Sequence, residues 1–227
     1  MKQVERIGSH YVLMQDAKQF KLGMDTMALA KFATLRPGER VCDLGCGIGP
    51  LPLLLLSREE RLSITGVELN PDAAHLARQN VTENKLENKV QIFCEDLRNV
   101  KAYGTAGAFD LVISNPPYFP TAAGKAAKGT LAQARSEVTC TIEELSRAAA
   151  YLLHPGGRFA VVFRPERLTA LILALTSQGL EPKRMRFVQH QPQKAPSLVL
   201  MEAVRCGKPG LAVLAPFFIA APQEKEK

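Results

Sequence analysis

Short apolar stretches, several of them β-branched, alternate with amphipathic ones from residue 39 to about residue 188. Arg40–Asp43, Ser63–Glu68, Lys89–Cys94, Phe109–Ser114, Arg158–Phe163 and Lys183–Val188 have the length and side-chain content of strands. Between them, Asn70-Pro71 offers a capping side chain followed by proline at the first helical position, which predicts a helix to about Asn84. Thr141-Ile-Glu-Glu144 carries a capping-box pattern and predicts a second helix to about Leu153. A third is expected from Pro165, with Leu168, Leu171, Ile172 and Leu175 on one face and Gly179 as its stop. Such alternation predicts βαβ units, hence an α/β fold with a parallel sheet covered on both faces. Leu198–Val204 follows a strand with no helix between, so it is expected to run antiparallel to Lys183–Val188. Ahead of the sheet, His10–Leu22 reads as a hairpin or short strands and Met24–Leu35 as a helix. The expected organisation is a preface over 1–36 packed on a main domain over 37–220, with a disordered tail over 221–227.

Composition narrows this picture without changing it. The 227 residues are 46% hydrophobic and 22% charged, enough for one domain with a real core. The N-terminal MKQVERIGSHYVLM lacks the apolar stretch of a signal peptide, and the longest aliphatic run, Leu53–Leu56, is far too short for a bilayer. A soluble, cytoplasmic protein is expected. The five cysteines (Cys42, Cys46, Cys94, Cys140, Cys206) are odd in number and show no metal-ligand spacing, so no metal is expected. The net charge of +7 suits a polyanionic partner. Its distribution is uneven: residues 119–136 hold Lys125, Lys128 and Arg135 with no acid. Residues 181–208 hold Lys183, Arg184, Arg186, Lys194, Arg205 and Lys208 against Glu181 and Glu202. Taken alone, each cluster could equally be a solvated face.

The chemistry concentrates at predicted strand ends. Asp43-Leu-Gly-Cys-Gly-Ile-Gly49 closes the first strand and opens a helix, and its glycines permit close approach of a ligand at the carboxyl edge of the sheet. The third glycine of a dinucleotide-binding turn would fall at Pro50, and no phosphate-binding Lys-Ser/Thr ending follows, so the turn suits a small zwitterion and a ribose. Glu68 ends the second strand, where an acid can accept from ribose hydroxyls. Asp96 lies just past the third, where it can accept from an adenine amine. Either acid alone could be a cap or a turn residue; three acids at successive strand ends point to a nucleoside-type cofactor. The fourth strand ends in Asn115-Pro-Pro-Tyr118. Pro116 drives Asn115 into an extended conformation and both prolines fix their own φ. A planar amine could be gripped there by the Asn115 side-chain oxygen and the Pro116 carbonyl and stacked on Tyr118; taken alone, the tetrapeptide could equally be a rigid turn after a strand.

The ordered set DLGCGIG, VELN, CEDL and NPPY resembles the class I S-adenosylmethionine-dependent methyltransferases, in which NPPY marks transfer to adenine N6, related base amines or glutamine amide nitrogen. Gln15, Phe20, Gly23-Met-Asp25, Leu29-Ala, residues 134–137 (ARSE), Leu153-His-Pro-Gly-Gly-Arg158, Arg164-Pro-Glu-Arg-Leu168 and Glu202-Ala-Val-Arg205 narrow the resemblance. Together they look like the bacterial valine-tRNA adenine-N6-methyltransferase family, from about Val4 to Ile219. The chain departs from that family at Ser136, where a histidine is common.

The resemblance implies a Rossmann-like seven-stranded sheet, mostly parallel with an antiparallel last strand. It implies S-adenosylmethionine as cofactor, with Asp43, Gly45, Cys46 and Gly47 at the methionine end, Asp25 ordering that end, Glu68 and Leu69 at the ribose, and Asp96 and Leu97 at the adenine. Asn115, Pro116, Pro117 and Tyr118 would form the catalytic clamp, Asn115 also lying against the cofactor. Tyr118, Lys125, Lys128, Arg135, Lys183, Arg184 and Arg186 are the candidate RNA contacts, and tRNA the expected partner. Asp25 could equally be a helix cap. The competing readings are a glutamine-N5 methyltransferase of a release factor, an adenine methyltransferase of ribosomal RNA or DNA, and an inactive nucleic-acid-binding module. Only about 40 residues precede the glycine turn, too few for the helical substrate domain usual in the first of these.

Overall fold

A computed structural model describes residues 2–16, 22–116 and 140–219. Two strands, β1 (Lys2–Ile7) and β2 (Tyr11–Asp16), form an antiparallel hairpin. Helix α1 (Met24–Phe32) leads into β3 (Arg40–Leu44), α2 (Pro50–Leu56), β4 (Ser63–Glu68), α3 (Pro71–Glu83), β5 (Val90–Cys94) and β6 (Phe109–Ser114). After the segment outside the described residues come α4 (Ile142–Leu152), β7 (Leu153–Phe163), α5 (Leu168–Ser177), β8 (Leu180–Gln189), β9 (Leu198–Arg205) and β10 (Ala212–Phe218). The large sheet runs β10-β8-β9-β7-β6-β3-β4-β5. Its strands are parallel except β9, which is antiparallel to both β7 and β8.

Local chemistry sets the helix starts as expected. The Asn70 side chain accepts from the amides of Asp72 and Ala73, and Thr141 and Glu144 close a reciprocal capping box. Strand alternation divides the core into two layers. Leu111 and Ile113 of β6 face α1, α2 and α3, whereas Val112 faces α4 and α5 together with Phe159 and Val161 of β7.

The sheet has eight strands rather than seven. The additional β10 pairs parallel with β8, covering an edge that would otherwise be open. Its run AVLAPFF contains Pro216, which cannot donate to the ladder and sits in the register shift between Leu214 and Phe217; the interruption hides the strand from its pattern. The hairpin lies earlier than expected, over Lys2–Asp16 rather than His10–Leu22. It is fastened by two asparagines one turn apart on α3. Asn84 bonds the N–H and C=O of Val12 at 2.8 and 2.7 Å, and Asn80 bonds those of Met14 at 2.8 and 3.0 Å. These side-chain amides take the place of a neighbouring strand.

The segment between α1 and β3 is held by two ion pairs. Arg158 Nη2 donates to both oxygens of Glu39 at 2.7 Å, the two side chains being 7% and 8% exposed. Glu202, 4% exposed, accepts from the Thr34 amide and hydroxyl, each at 3.0 Å, and from Arg184 Nη1 at 2.9 Å. Arg184 also stacks over the Phe32 ring at 4.9 Å. The Arg158 and Glu202 motifs of the sequence therefore bind the preface to β7, β8 and β9.

Candidate active site

Pairing register brings the predicted strand ends to one edge. Leu44 lies beside Val67, Glu68 beside Cys94, Asp43 beside Ile113, and Ser114 beside Val161. The carboxyl ends of β3, β4, β5 and β6 thus converge, as expected for an open α/β sheet whose ligands bind at that edge.

The turn after β3 is held open by backbone bonds to β4. The amides of Gly45 and Cys46 both donate to the Val67 carbonyl, at 2.8 and 3.0 Å. Gly45 and Gly47 have φ of 78° and 56°, and a Cβ on either would meet nothing within 4 Å. The turn therefore presents bare backbone to open space. Glu68 shapes it: Oε2 accepts from the Gly47 amide at 2.9 Å and Oε1 from the Asn70 amide at 2.8 Å. Each oxygen keeps a second lone pair for a ligand hydroxyl. Leu69, 51% exposed, offers an apolar surface beside it.

Asp43 is fully buried, and neither carboxylate oxygen has a hydrogen-bond partner among the described residues. Burial, with the charge of Glu68 second, pushes its carboxyl well above the ordinary carboxylate range. Such a group calls for a cation or donor that the described protein does not supply. A bare glycine turn, a carboxylate at the ribose position and an orphaned buried acid together fit a ligand with a cationic amino-acid end and a ribose.

The expected adenine acceptor is engaged differently. Both oxygens of Asp96 accept from Arg98 Nε, at 2.9 and 3.0 Å, and that guanidinium holds the carboxyl below its usual range. An adenine amine would share Asp96 with Arg98. The Leu97 carbonyl accepts from the Tyr103 hydroxyl at 2.5 Å, which fixes the backbone there.

At the end of β6 the fully buried Ser114 donates to the Leu44 carbonyl at 2.6 Å, fastening the strand end to the glycine turn. Asn115 is half-buried and Pro116 buried. The Asn115 Nδ2 donates to Thr26 Oγ1 at 2.9 Å. Among the described residues no donor is bonded to its Oδ1, which is left as an acceptor. Thr26 is 6% exposed on α1. Its neighbour Asp25 is a first-turn acid, not the cap, which is Gly23. Burial raises the Asp25 carboxyl, and the positive charge of Arg164, just past β7, partly offsets this. Sequence reasoning put neither Thr26 nor Arg164 in the site.

Pro117, Tyr118, Lys125, Lys128 and Arg135 lie outside the described residues. The remaining basic candidates sit away from the edge. Lys183 donates to the Lys208 carbonyl at 3.0 Å. Arg184 is spent on Glu202 and Phe32, and Arg186, on the same face of β8, has a buried Nε. β8 stands three strands from β6, roughly 14 Å at about 4.8 Å per strand. Arg184 therefore has a structural partner that the sequence did not show: Glu202 is 18 residues distant and meets it only through strand register.

Cofactor binding should carry a proton signature. Burial favours the neutral form of the Asp43 carboxyl and pairing with a ligand cation favours the charged form, so binding should release a proton from this group and affinity should rise with pH. Calorimetric titration of S-adenosylmethionine in two buffers of different ionisation enthalpy should show that release, and Asp43→Asn should abolish it. Equal release by both proteins would remove Asp43 from the pairing.

Comparison with known proteins agrees with this geometry. Residues 21–174 match the model of the methyltransferase small domain. The chain is similar to the tRNA1(Val) (adenine(37)-N6)-methyltransferase of Tolumonas auensis, 32% identical over 82% of this chain and 77% of that protein. It is similar to the protein of the same name from Bacteroides fragilis, 28% identical over 84% and 80%. Among solved structures, a "predicted O-methyltransferase" from Agrobacterium tumefaciens superposes with a TM-score of 0.72 at 21% identity, covering 89% of this chain and 90% of that one, which speaks for the fold. The chain belongs to the methyltransferase small domain family.

Proposed function

We propose that this protein transfers a methyl group from S-adenosylmethionine to the exocyclic N6 of an adenine in RNA, the adenine being position 37 of a valine tRNA, next to the anticodon. The observation that carries the chemistry is the Asn115 amide, held with Nδ2 on Thr26 and with no donor on Oδ1 among the described residues, at the sheet edge that bears the glycine turn and Asp43. The RNA substrate is supported by the relatives named above.

Bound cofactor supplies an electrophilic methyl on a sulfonium; the protein's work lies with the nucleophile. The lone pair of an adenine amine is delocalised into the ring. Asn115 Oδ1 and the Pro116 carbonyl each accept one amine N–H, drawing the nitrogen towards tetrahedral geometry and aiming its lone pair along the transfer axis. Positioning of this kind contributes up to about 7–11 kcal/mol in favourable intramolecular reactions. Asp43, Gly45 and Gly47 hold the methionine end, Glu68 the ribose, and Asp96 with Leu97 the adenine of the cofactor. Asp25, whose charge is felt by Arg164, orders the amino-acid end of the cofactor. Tyr118 stacks the target base once it leaves its own stack, and Lys125, Lys128 and Arg135 meet the RNA backbone.

Incubating the enzyme with methyl-labelled cofactor and bulk tRNA, ribosomal RNA or release factor in parallel tests the substrate class. Label should enter tRNA alone. Label in release factor would replace the adenine reading with glutamine, for which the same clamp serves.

A further inference from the structure

Thr26 is buried on α1, in the part of the chain before the glycine turn, yet its one side-chain hydrogen bond among the described residues goes to Asn115, 89 residues downstream. Asn115 is useful as an amine acceptor only with Oδ1 outward. Turned by 180°, its amide would present two N–H donors to an amine that is itself a donor, and the target would be repelled. A side-chain amide at a strand end has no intrinsic preference between these two orientations, and a hydroxyl can accept from it or donate to it, so the choice needs both a neighbour that fixes the plane of the amide and a target N–H that selects Oδ1. Two other contacts near Asn115 act on the main chain and leave this choice open: the Ser114 hydroxyl fixes the strand end, and Pro116 is buried in place.

We infer that Thr26 is the positioning residue of the methyl-transfer site: its hydroxyl oxygen accepts the Asn115 Nδ2–H and fixes the rotamer in which Oδ1 faces the target amine, whose own N–H then keeps that orientation. This rests on the reading of Asn115 as the amine acceptor. The helix that carries Thr26 is itself well anchored. Arg58 Nη1 donates to the Ala30 carbonyl and, at 3.1 Å, to that of Ala33, and Thr34 just beyond is tied to Glu202. A helix packed against α2, β7 and β9 therefore sets the rotamer of one side chain at the proposed catalytic edge. The preface is part of the active site by this route, without touching the substrate.

The test is a set of three variants measured beside Asn115→Ala: Thr26→Val, isosteric but without an acceptor; Thr26→Ala, which serves if valine does not fold; and Thr26→Ser, which keeps the hydroxyl. Single-turnover rate, KM for RNA, cofactor Kd by calorimetry and Tm are read for each. Thr26→Val should lower the rate by about 10- to 100-fold, the scale of a misplaced catalytic group. RNA KM, cofactor Kd and Tm should stay near wild type, and Thr26→Ser should restore most of the rate. A wild-type rate in Thr26→Val overturns the inference. So does a Thr26→Ser variant as slow as Thr26→Val, or a rate loss that follows Tm or cofactor affinity, since either makes Thr26 a packing residue. An active Asn115→Ala would instead overturn the reading of the site itself, whatever Thr26 does.

Discussion

Asn115→Ala should lose about 100- to 1,000-fold in single-turnover rate while the Kd for S-adenosylmethionine changes little, a loss on the scale of removing one pre-aligned polar group from a transition state. The reason is the division of labour at the sheet edge. The proposed cofactor contacts lie at and just past the ends of β3, β4 and β5, and the proposed acceptor for the amine lies just past the end of β6. Alanine at 115 removes the acceptor, leaves the Ser114 bond to Leu44 and the extended backbone before Pro116, and so should leave the glycine turn as it is. Calorimetry for the cofactor and rapid quench for methyl transfer separate the two effects. A variant with wild-type turnover would show that the clamp does not act through this side chain.

Arg158→Met should destabilise the protein by about 3–5 kcal/mol, the cost of stranding a buried charge, here Glu39 at 8% exposure. The loss should be read in urea unfolding as a lower midpoint with an unchanged slope. The companion Glu39→Leu/Arg158→Met protein should regain most of that stability, because two apolar side chains replace two desolvated charges. A double variant as unstable as the sum of its single changes would mean that the two residues act separately. The result matters for function because Arg158 also donates to the Thr34 carbonyl at 3.2 Å, within the segment that carries α1 to β3. Weakening this anchorage should therefore also lower the transfer rate through Thr26.

How far the molecule could be read from its residues depends on where each partner sits in the chain. The glycine turn, Glu68, Asp96 and Asn115 were legible because each is a local motif at the end of its own strand, and parallel pairing carries strand ends to one edge. The caps at Asn70 and Thr141 were legible for the same reason, since their bonds span two or three residues. Features made by distant partners were not. The first hairpin strand, KQVERI, is too polar to announce itself, and the groups that hold the hairpin, Asn80 and Asn84, lie 66 and 72 residues further on. Arg184 looked like a surface cation until the β8–β9 register set it against Glu202. Thr26 carries no motif signal, and the role proposed for it follows only from its bond to Asn115, 89 residues downstream.

The central claim is transfer to the N6 atom of adenine, and the most direct measurement is the position of the label. Valine tRNA lacking the modification is incubated with enzyme and methyl-labelled S-adenosylmethionine, then cut into fragments and nucleosides and identified by mass. The account predicts N6-methyladenosine at position 37, formed by the wild-type protein and nearly absent with Asn115→Ala. Label on a ring nitrogen, on a ribose 2′-oxygen, or at no nucleoside of the tRNA would contradict it.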